Sequence, residues 1–208
     1  MMDLADTIIL SMSWIVYFVI HSVLAAERIK QRLIARYRLD LQRYRMLYVV
    51  IATLLLLIPL WLTFRQPSAL LWSWQGSMAV IMNIIALLGI GGFILSMRYY
   101  DGLAFLGLKP FQTENAEQAL ILSPLHRYVR HPWYFFSLLI IWSRDMSVAW
   151  LITCTAVTIY FIIGSKLEED KLILYFGEQY RNYQKKVPGL LPLPWKYLSK
   201  ADAEQLVE

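Results

Sequence analysis

Four long apolar runs constrain this chain most strongly. Each has about 20 residues, the length that a helix needs to cross about 30 Å of hydrocarbon. The runs occupy residues 7–26, 46–64, 77–97 and 146–165. Of the 208 residues, 58% are hydrophobic, which exceeds the usual share in a soluble domain. The sequence therefore predicts an all-α integral membrane protein.

A fifth apolar run is too short to cross a membrane by itself. It extends from Trp133 to Trp142 and is closely followed by Arg144. At about 1.5 Å of rise per residue, the run covers only about half of the hydrocarbon layer. A spanning helix must therefore begin near Leu125. This predicts a fifth span over 125–143, with Arg130 in the interfacial zone.

The basic residues are unevenly distributed between the predicted loops. Residues 27–45 hold seven Lys or Arg, and seven more follow Ser165. Basic loops remain on the cytoplasmic side of a membrane. Five spans with the N-terminus outside and the C-terminus inside place 18 of the 20 basic residues on that side. The charge pattern therefore predicts an N-out, C-in protein, multi-pass in a bacterial inner (plasma) membrane.

Composition also limits the partners and the domain organisation. The basic segment 27–45 favours contact with anionic lipid, and no nucleic-acid-binding motif accompanies it. Cys154 is the single cysteine, so metal or redox sites of the CxxC type are excluded and no metal is expected. No repeat or low-complexity linker divides 1–208. This predicts one membrane domain that ends in a helical hairpin and a cytoplasmic amphipathic tail.

Charged residues at the start of the fifth span are candidates for function. Ionisable side chains at membrane depth are costly, and those that occur there usually serve a site. Arg130 and His131 directly precede Pro132, which interrupts a straight helix and frees backbone carbonyls. Arg127, in contrast, is equally well explained by a side chain that reaches lipid phosphates.

A second charged group follows the last span. Helical spacing places one carboxylate on an otherwise apolar stripe, with Glu168 beside it around the helix. The stripe consists of Glu169, Leu172, Ile173, Phe176, Tyr180 and Tyr183. The two ends of one hairpin then bring a cationic pair and an anionic pair together at the inner surface. A ligand that carries both charge signs suits this arrangement. His21, near the inner end of the first span, either lines the same pocket or makes an interhelical hydrogen bond.

Three glycines in the third span predict close helix packing. They are Gly89, Gly91 and Gly92.

Several motifs together resemble a known superfamily. The stretches RYVRHPWY, LEEDKL and YFGEQYRNYQKKVPGLLP occur in this order within residues 123–194. The ordered set resembles the membrane methyltransferase superfamily that includes isoprenylcysteine carboxyl methyltransferase and the phospholipid N-methyltransferases. The stretches YFVIHSVLA, YRMLY, FLGL and WSRDMS look more like its methanethiol S-methyltransferase branch.

The resemblance implies a ligand and a set of site residues. The ligand is S-adenosylmethionine, bound by the C-terminal part of the chain, about 98–196. Arg130 and His131 suit its carboxylate, whereas Glu168 and Glu169 suit its ammonium group or ribose hydroxyls. Tyr134 suits a hydrogen bond or a ring contact with the sulfonium.

Further residues complete the predicted site. Tyr134, Glu168 and His126 are the candidate catalytic residues, although no general base stands out. His21 and Tyr180 are the candidates for binding the methyl acceptor. One departure from the superfamily pattern concerns Phe136, which stands where glycine is common and is expected to crowd a helix or the cofactor.

Three functions follow as hypotheses. The leading one is an S-adenosylmethionine-dependent membrane methyltransferase that acts on a small or lipophilic thiol, carboxylate or amine. A second is an NADPH-dependent reductase of the sterol-reductase type, whose RHPNYxGE-like motif is altered here at Trp133, Phe136 and Ser137. The third is a membrane scaffold without catalysis.

Overall fold

The computed structural model describes residues 2–65, 68–99, 102–109, 120 and 122–207. Within them the chain forms eight α-helices, one 3₁₀ turn and two short strands. In chain order these are α1 (Leu4–Ala25), α2 (Glu27–Tyr37), α3 (Leu41–Arg65), β1 (Leu70–Trp72), α4 (Gly76–Met97), α5 (Gly102–Phe105), the 3₁₀ turn (Pro124–Arg127), α6 (Pro132–Trp142), β2 (Met146–Ser147), α7 (Val148–Lys186) and α8 (Lys200–Val207).

Four helices are long and apolar enough to cross a membrane, and they match the four predicted long spans. They are α1, α3, α4 and α7. At about 1.5 Å per residue, the 39 residues of α7 extend well beyond a hydrocarbon layer of about 30 Å. The chain is therefore a mostly helical, multi-pass membrane protein.

The described residues divide into two compact units. The first is formed within residues 1–73, 101–111 and 145–157, and the second within 74–100, 112–144 and 158–208. The beginning of α7 therefore belongs to the first unit and its remainder to the second.

The first unit is built around α1, α3 and the beginning of α7. Asp3 caps α1 by accepting a hydrogen bond from the Asp6 amide at 2.8 Å. The indole of Trp14 is buried and donates to the Thr153 hydroxyl at 3.1 Å. That hydroxyl also contacts the Thr63 hydroxyl at 2.8 Å, so the polar groups in this apolar core satisfy one another.

The same unit contains a short antiparallel ribbon. Strand β1 pairs with β2, with Leu70 opposite Ser147 and Trp72 opposite Met146. The strands lie in the connections from α3 to α4 and from α6 to α7, and the chain is otherwise mostly helical.

In the second unit, α4 packs closely against α6 through glycine. A Cβ atom added to Gly92 would lie 2.2 Å from the Phe136 ring, and one added to Gly89 would lie 2.9 Å from Ile140. The predicted close packing is thus confirmed for these two glycines. It is wrong for Gly91, where nothing lies within 4 Å of an added Cβ.

The start of α6 differs from the prediction. The sequence predicted a spanning helix that begins near Leu125, but that residue lies in the 3₁₀ turn, and α6 begins only at Pro132. Proline favours the first position of a helix and disfavours helical geometry in the residue before it. His131 accordingly has φ −122° and ψ 71°. The predicted start is therefore wrong by about two turns.

The apolar stripe predicted for the end of α7 is confirmed. Tyr180 and Tyr183 form a buried core with Leu120, Val187 and Leu198. Leu172, Ile173 and Phe176 pack against this core. The helix changes direction at Gly177, whose φ of 53° and ψ of −126° lie outside helical geometry and are easily adopted only by glycine.

We expect Gly92→Ala to destabilise the protein, because the new methyl group overlaps the Phe136 ring. Overpacking of this kind costs about 1–3 kcal/mol. Gly91→Ala is the matched control, since an added methyl there meets nothing within 4 Å. Thermal unfolding of the purified variants in detergent measures the difference, and equal midpoints for the two would contradict the packing.

Candidate functional site

Arg130 and Glu169 form a two-pronged ion pair in the second unit. Arg130 Nε donates to Glu169 Oε1 at 2.7 Å, and Nη2 donates to Oε2 at 3.0 Å. The two side chains are 13% and 11% exposed. The planar guanidinium matches the carboxylate in this geometry, and removing one partner would leave a buried, uncompensated charge.

Two further side chains complete the environment of the Glu169 carboxylate. His131 Nε2 lies 2.9 Å from Oε1, and Gln184 Nε2 donates to Oε2 at 2.9 Å. A carboxylate accepts about four hydrogen bonds, and each of these oxygens has two partners. Glu169 therefore has no accepting position left for a ligand unless one of these partners moves.

The remaining donors of Arg130 bind backbone that follows the kink in α7. Nη1 donates to the carbonyl of Gln184 at 3.1 Å and also to the carbonyl of Val187. The Arg130 amide donates to the Pro188 carbonyl at 2.9 Å, and the His131 amide donates to the Gly189 carbonyl at 3.1 Å. The non-helical residues before α6 thus obtain their backbone partners from the C-terminal segment.

The adjacent carboxylate, Glu168, has a different environment. Its side chain is 52% exposed, and its Oε2 lies 3.4 Å from His131 Nδ1. The Tyr134 hydroxyl donates to the same oxygen at 3.4 Å. Both contacts are long and therefore weak. A ligand that binds the Glu168 carboxylate more closely can replace them at a small cost in free energy.

The Tyr134 ring is held between two other rings. It stacks on Phe161 with centroids 4.4 Å apart and on His131 with centroids 5.3 Å apart. The interplanar angles are 7° and 10°. This stack fixes the direction of the phenol towards Glu168.

The two histidines of the RHP segment have opposite electrostatic environments. Burial lowers the pKa of His131, but its hydrogen bonds with Glu168 and Glu169 outweigh burial, so the pKa lies above its ordinary value of 6.5. For His126, burial and then the neighbouring His131 lower the pKa to about 4. His126 Nδ1 lies 2.7 Å from the Ser123 hydroxyl. A histidine with so low a pKa is a weak base for a thiol, because even the cysteine thiol has a pKa of about 8.5.

The other predicted site residues lie in different surroundings. Tyr180 is 2% exposed and belongs to the core of the second unit. His21 belongs to the first unit, where its ring nitrogens lie 3.0 Å from the Tyr48 hydroxyl. Arg127 donates through Nε to the Leu198 carbonyl at 3.0 Å. The structure thus shows an interhelical hydrogen bond for His21, which was one of its two alternatives. Binding of the methyl acceptor by His21 and Tyr180 stays a prediction.

Sequence reasoning missed Gln184, although a signal was present. This residue follows Tyr180 by one helical turn and extends the buried stripe that begins at Glu169. A polar side chain on such a stripe needs a buried partner.

Positions 100–101, 110–119 and 121 of the predicted cofactor-binding segment lie outside the described residues. Across the described ranges, no group of three or more His, Cys, Asp or Glu side chains is arranged to hold a metal ion.

We expect the protein to lose stability as the pH rises above about 6.5, the ordinary pKa of histidine. Folding raises the pKa of His131, so its contribution is complete below 6.5 and disappears as the pH passes the folded pKa. His126 causes no such decline: its folded pKa of about 4 lies below the ordinary 6.5, so it lowers stability at acidic pH, and this effect fades as the pH rises through 6.5.

The measurement is the thermal unfolding midpoint against pH. His131→Gln should flatten the decline above pH 6.5, and His126→Gln should leave it intact. An undiminished decline in His131→Gln would show that another group titrates.

Comparison with known proteins identifies the family. The NnrU protein family matches residues 9–145. The methanethiol S-methyltransferase of Pseudomonas deceptionensis is 31% identical over 83% of this chain and 67% of its own length. Methanethiol S-methyltransferase 2 of Bradyrhizobium diazoefficiens is 30% identical over 91% of this chain and 75% of its own.

A mycobacterial relative supports the same family assignment. The methanethiol S-methyltransferase of Mycobacterium tuberculosis is 30% identical over 88% of this chain and 76% of its own length. No solved structure matches the chain significantly. The chain therefore belongs to the NnrU protein family, within the isoprenylcysteine methyltransferase-like membrane methyltransferases and alongside the methanethiol S-methyltransferases.

Proposed function

We propose that this protein transfers a methyl group from S-adenosylmethionine to a small or lipophilic acceptor, with a thiol favoured over a carboxylate or an amine. The observation that carries the proposal is the half-exposed Glu168 carboxylate, which lies beside Tyr134 and His131. This carboxylate and the sequence similarity to methyltransferases together support the proposal. These relatives are methyltransferases rather than reductases, so the NADPH-dependent alternative is not favoured.

The residues present fit a ligand with both charge signs. The exposed Glu168 suits the ammonium group or the ribose hydroxyls of the cofactor. Protonated His131 suits its carboxylate through Nδ1, whose 3.4 Å contact with Glu168 is long, while Nε2 stays bonded to Glu169. Tyr134 offers its hydroxyl, which lies 3.4 Å from Glu168 Oε2, whereas its ring is already stacked between Phe161 and His131. Arg130 and Glu169 are assigned as positioning residues, because their hydrogen-bonding groups are engaged with each other, with Gln184 and with backbone.

When bound, S-adenosylmethionine supplies an activated methyl group on sulfur. The protein then has mainly to orient the acceptor and exclude water, because the transfer is a direct displacement at carbon. The weak basicity of His126 leaves it poorly suited to remove the acceptor's proton. An acceptor thiol reacts as its thiolate, which forms by loss of the proton to solvent.

We also propose the orientation. The segment 125–143, of which α6 is the helical part, is the fifth crossing, with the residues before Pro132 towards the inner interface. The N-terminus lies outside and the C-terminus in the cytoplasm of a bacterial cell, with the protein in the inner membrane as a single domain. The basic segment 27–45 and the basic residues after Ser165 support this orientation through their charge.

The test of the activity is transfer of a labelled methyl group from S-adenosylmethionine by the purified protein in lipid vesicles. Thiols, prenylcysteines and lipid amines are offered in parallel. We expect label in the thiol products, and absence of transfer to all three classes would refute the proposal.

The two adjacent glutamates should respond differently to substitution. Glu168→Gln should weaken binding of S-adenosylhomocysteine about tenfold, since a hydrogen bond to a charged group contributes about 1.5–3 kcal/mol and this site is partly exposed. Glu169→Gln should instead lower stability by about 3 kcal/mol, because Arg130 loses its buried partner.

Calorimetry measures the binding, and thermal unfolding measures the stability. Glu178→Gln on the exposed side of α7 is the matched control and should change neither quantity. Strong destabilisation by Glu168→Gln with none by Glu169→Gln would reverse the roles assigned to the two residues.

A further inference from the structure

An apolar groove in the second unit has no part in the site described above. Its volume is about 450 Å³, and it lies along α6, between residues of α4, α7 and the C-terminal segment. Its lining includes Phe135, Leu139 and Trp142 of α6 and Ile162 of α7. The two hydroxyls in the lining are engaged within the protein: Ser143 donates to the Ile140 carbonyl at 3.0 Å, and Thr158 accepts from the Trp142 indole at 3.0 Å. A hydrocarbon occupant suits such a surface.

One end of the groove is lined by residues that directly follow the proposed site along the chain. Phe135 lies one helical turn after His131, and its amide donates to the His131 carbonyl at 3.1 Å. Leu190 and Leu191 also line the groove and directly follow Gly189, whose carbonyl accepts from the His131 amide at 3.1 Å.

The groove and the site also share a face of α7. Thr158, Ile162 and Glu169 follow each other at intervals of four and seven residues, so they lie on one face of this helix. From Phe135 to Trp142 the groove extends for about 10 Å, given a rise of about 1.5 Å per residue. A groove of this length accommodates an alkyl chain of several carbons, which methanethiol does not possess.

We infer that the groove binds the hydrocarbon tail of the methyl acceptor, so that the acceptor is an alkyl thiol with a chain of several carbons that dissolves in the membrane. This inference rests on the proposed function. The thiol releases its proton to solvent, and the thiolate sulfur bonds to the methyl carbon as that carbon's bond to the sulfonium sulfur breaks. The products are an alkyl methyl thioether and S-adenosylhomocysteine.

The inference is tested by comparing octanethiol with ethanethiol as acceptors for the full-length protein in lipid vesicles. The measured quantity is the ratio of kcat/KM for the two thiols. Ile162→Trp fills the groove, and Ile159→Trp is the matched control, since Ile159 lies on the same helix, is 52% exposed and does not line the groove. All three proteins are assayed in the same vesicles, so partition of the thiols into lipid cancels in the comparison.

We expect the ratio to fall about tenfold or more in Ile162→Trp, since one methylene in an apolar pocket already changes discrimination about tenfold. The ratio should be unchanged in Ile159→Trp. Thermal unfolding verifies that both variants are folded, and Leu139→Trp fills the groove from α6 as a second variant.

The outcomes separate the inference from the function on which it rests. Equal ratios in all three proteins, or an equal fall in both tryptophan variants of α7, would overturn the inference and leave only bulk lipid in the groove. Methyl transfer to neither thiol by the unaltered protein would overturn the proposed thiol activity as well.

Discussion

The organisation of the second unit depends on the ion pair between Arg130 and Glu169. The pair joins the segment before α6 to the face of α7, and Arg130 extends the connection to the carbonyls of Gln184 and Val187. Charges in an environment of low dielectric are stable only when they are paired and fully hydrogen-bonded. The start of α6, the middle of α7 and the segment after its end must therefore adopt their positions together. This requirement explains why so much charge lies where an apolar helix begins.

The same ion pair separates the roles of two neighbouring carboxylates. Successive residues of a helix point about 100° apart, so Glu169 faces the arginine while Glu168 remains half exposed beside Tyr134. A buried carboxylate with filled accepting positions holds the architecture, and an exposed one with long contacts is available to a ligand. His131 contacts both glutamates and connects the two roles.

Several elements could be predicted from the sequence because they depend on local spacing. The four long spans follow from apolar length, and the buried face of α7 follows from helical periodicity. The beginning of α6 was misplaced, because a span of bilayer length was assumed where proline starts a short helix. Phe136, expected to crowd a helix or the cofactor, instead packs its ring against Gly92 of α4, which has no side chain to oppose it. That compensation involves residues 44 positions apart, and no pattern within either segment reveals it.

The sequence by itself determined that this chain forms membrane helices, and that a basic and an acidic pair lie at the two ends of one hairpin. Hydrophobicity and helical period are properties of short segments, so they can be predicted from residue order alone. Only the tertiary structure decided which charges pair with each other and which remain for a ligand. The same residues in the same order are compatible with an Arg130 that binds a cofactor carboxylate or one that binds Glu169. The choice depends on distances of about 3 Å between atoms of separate segments, the length of a hydrogen bond.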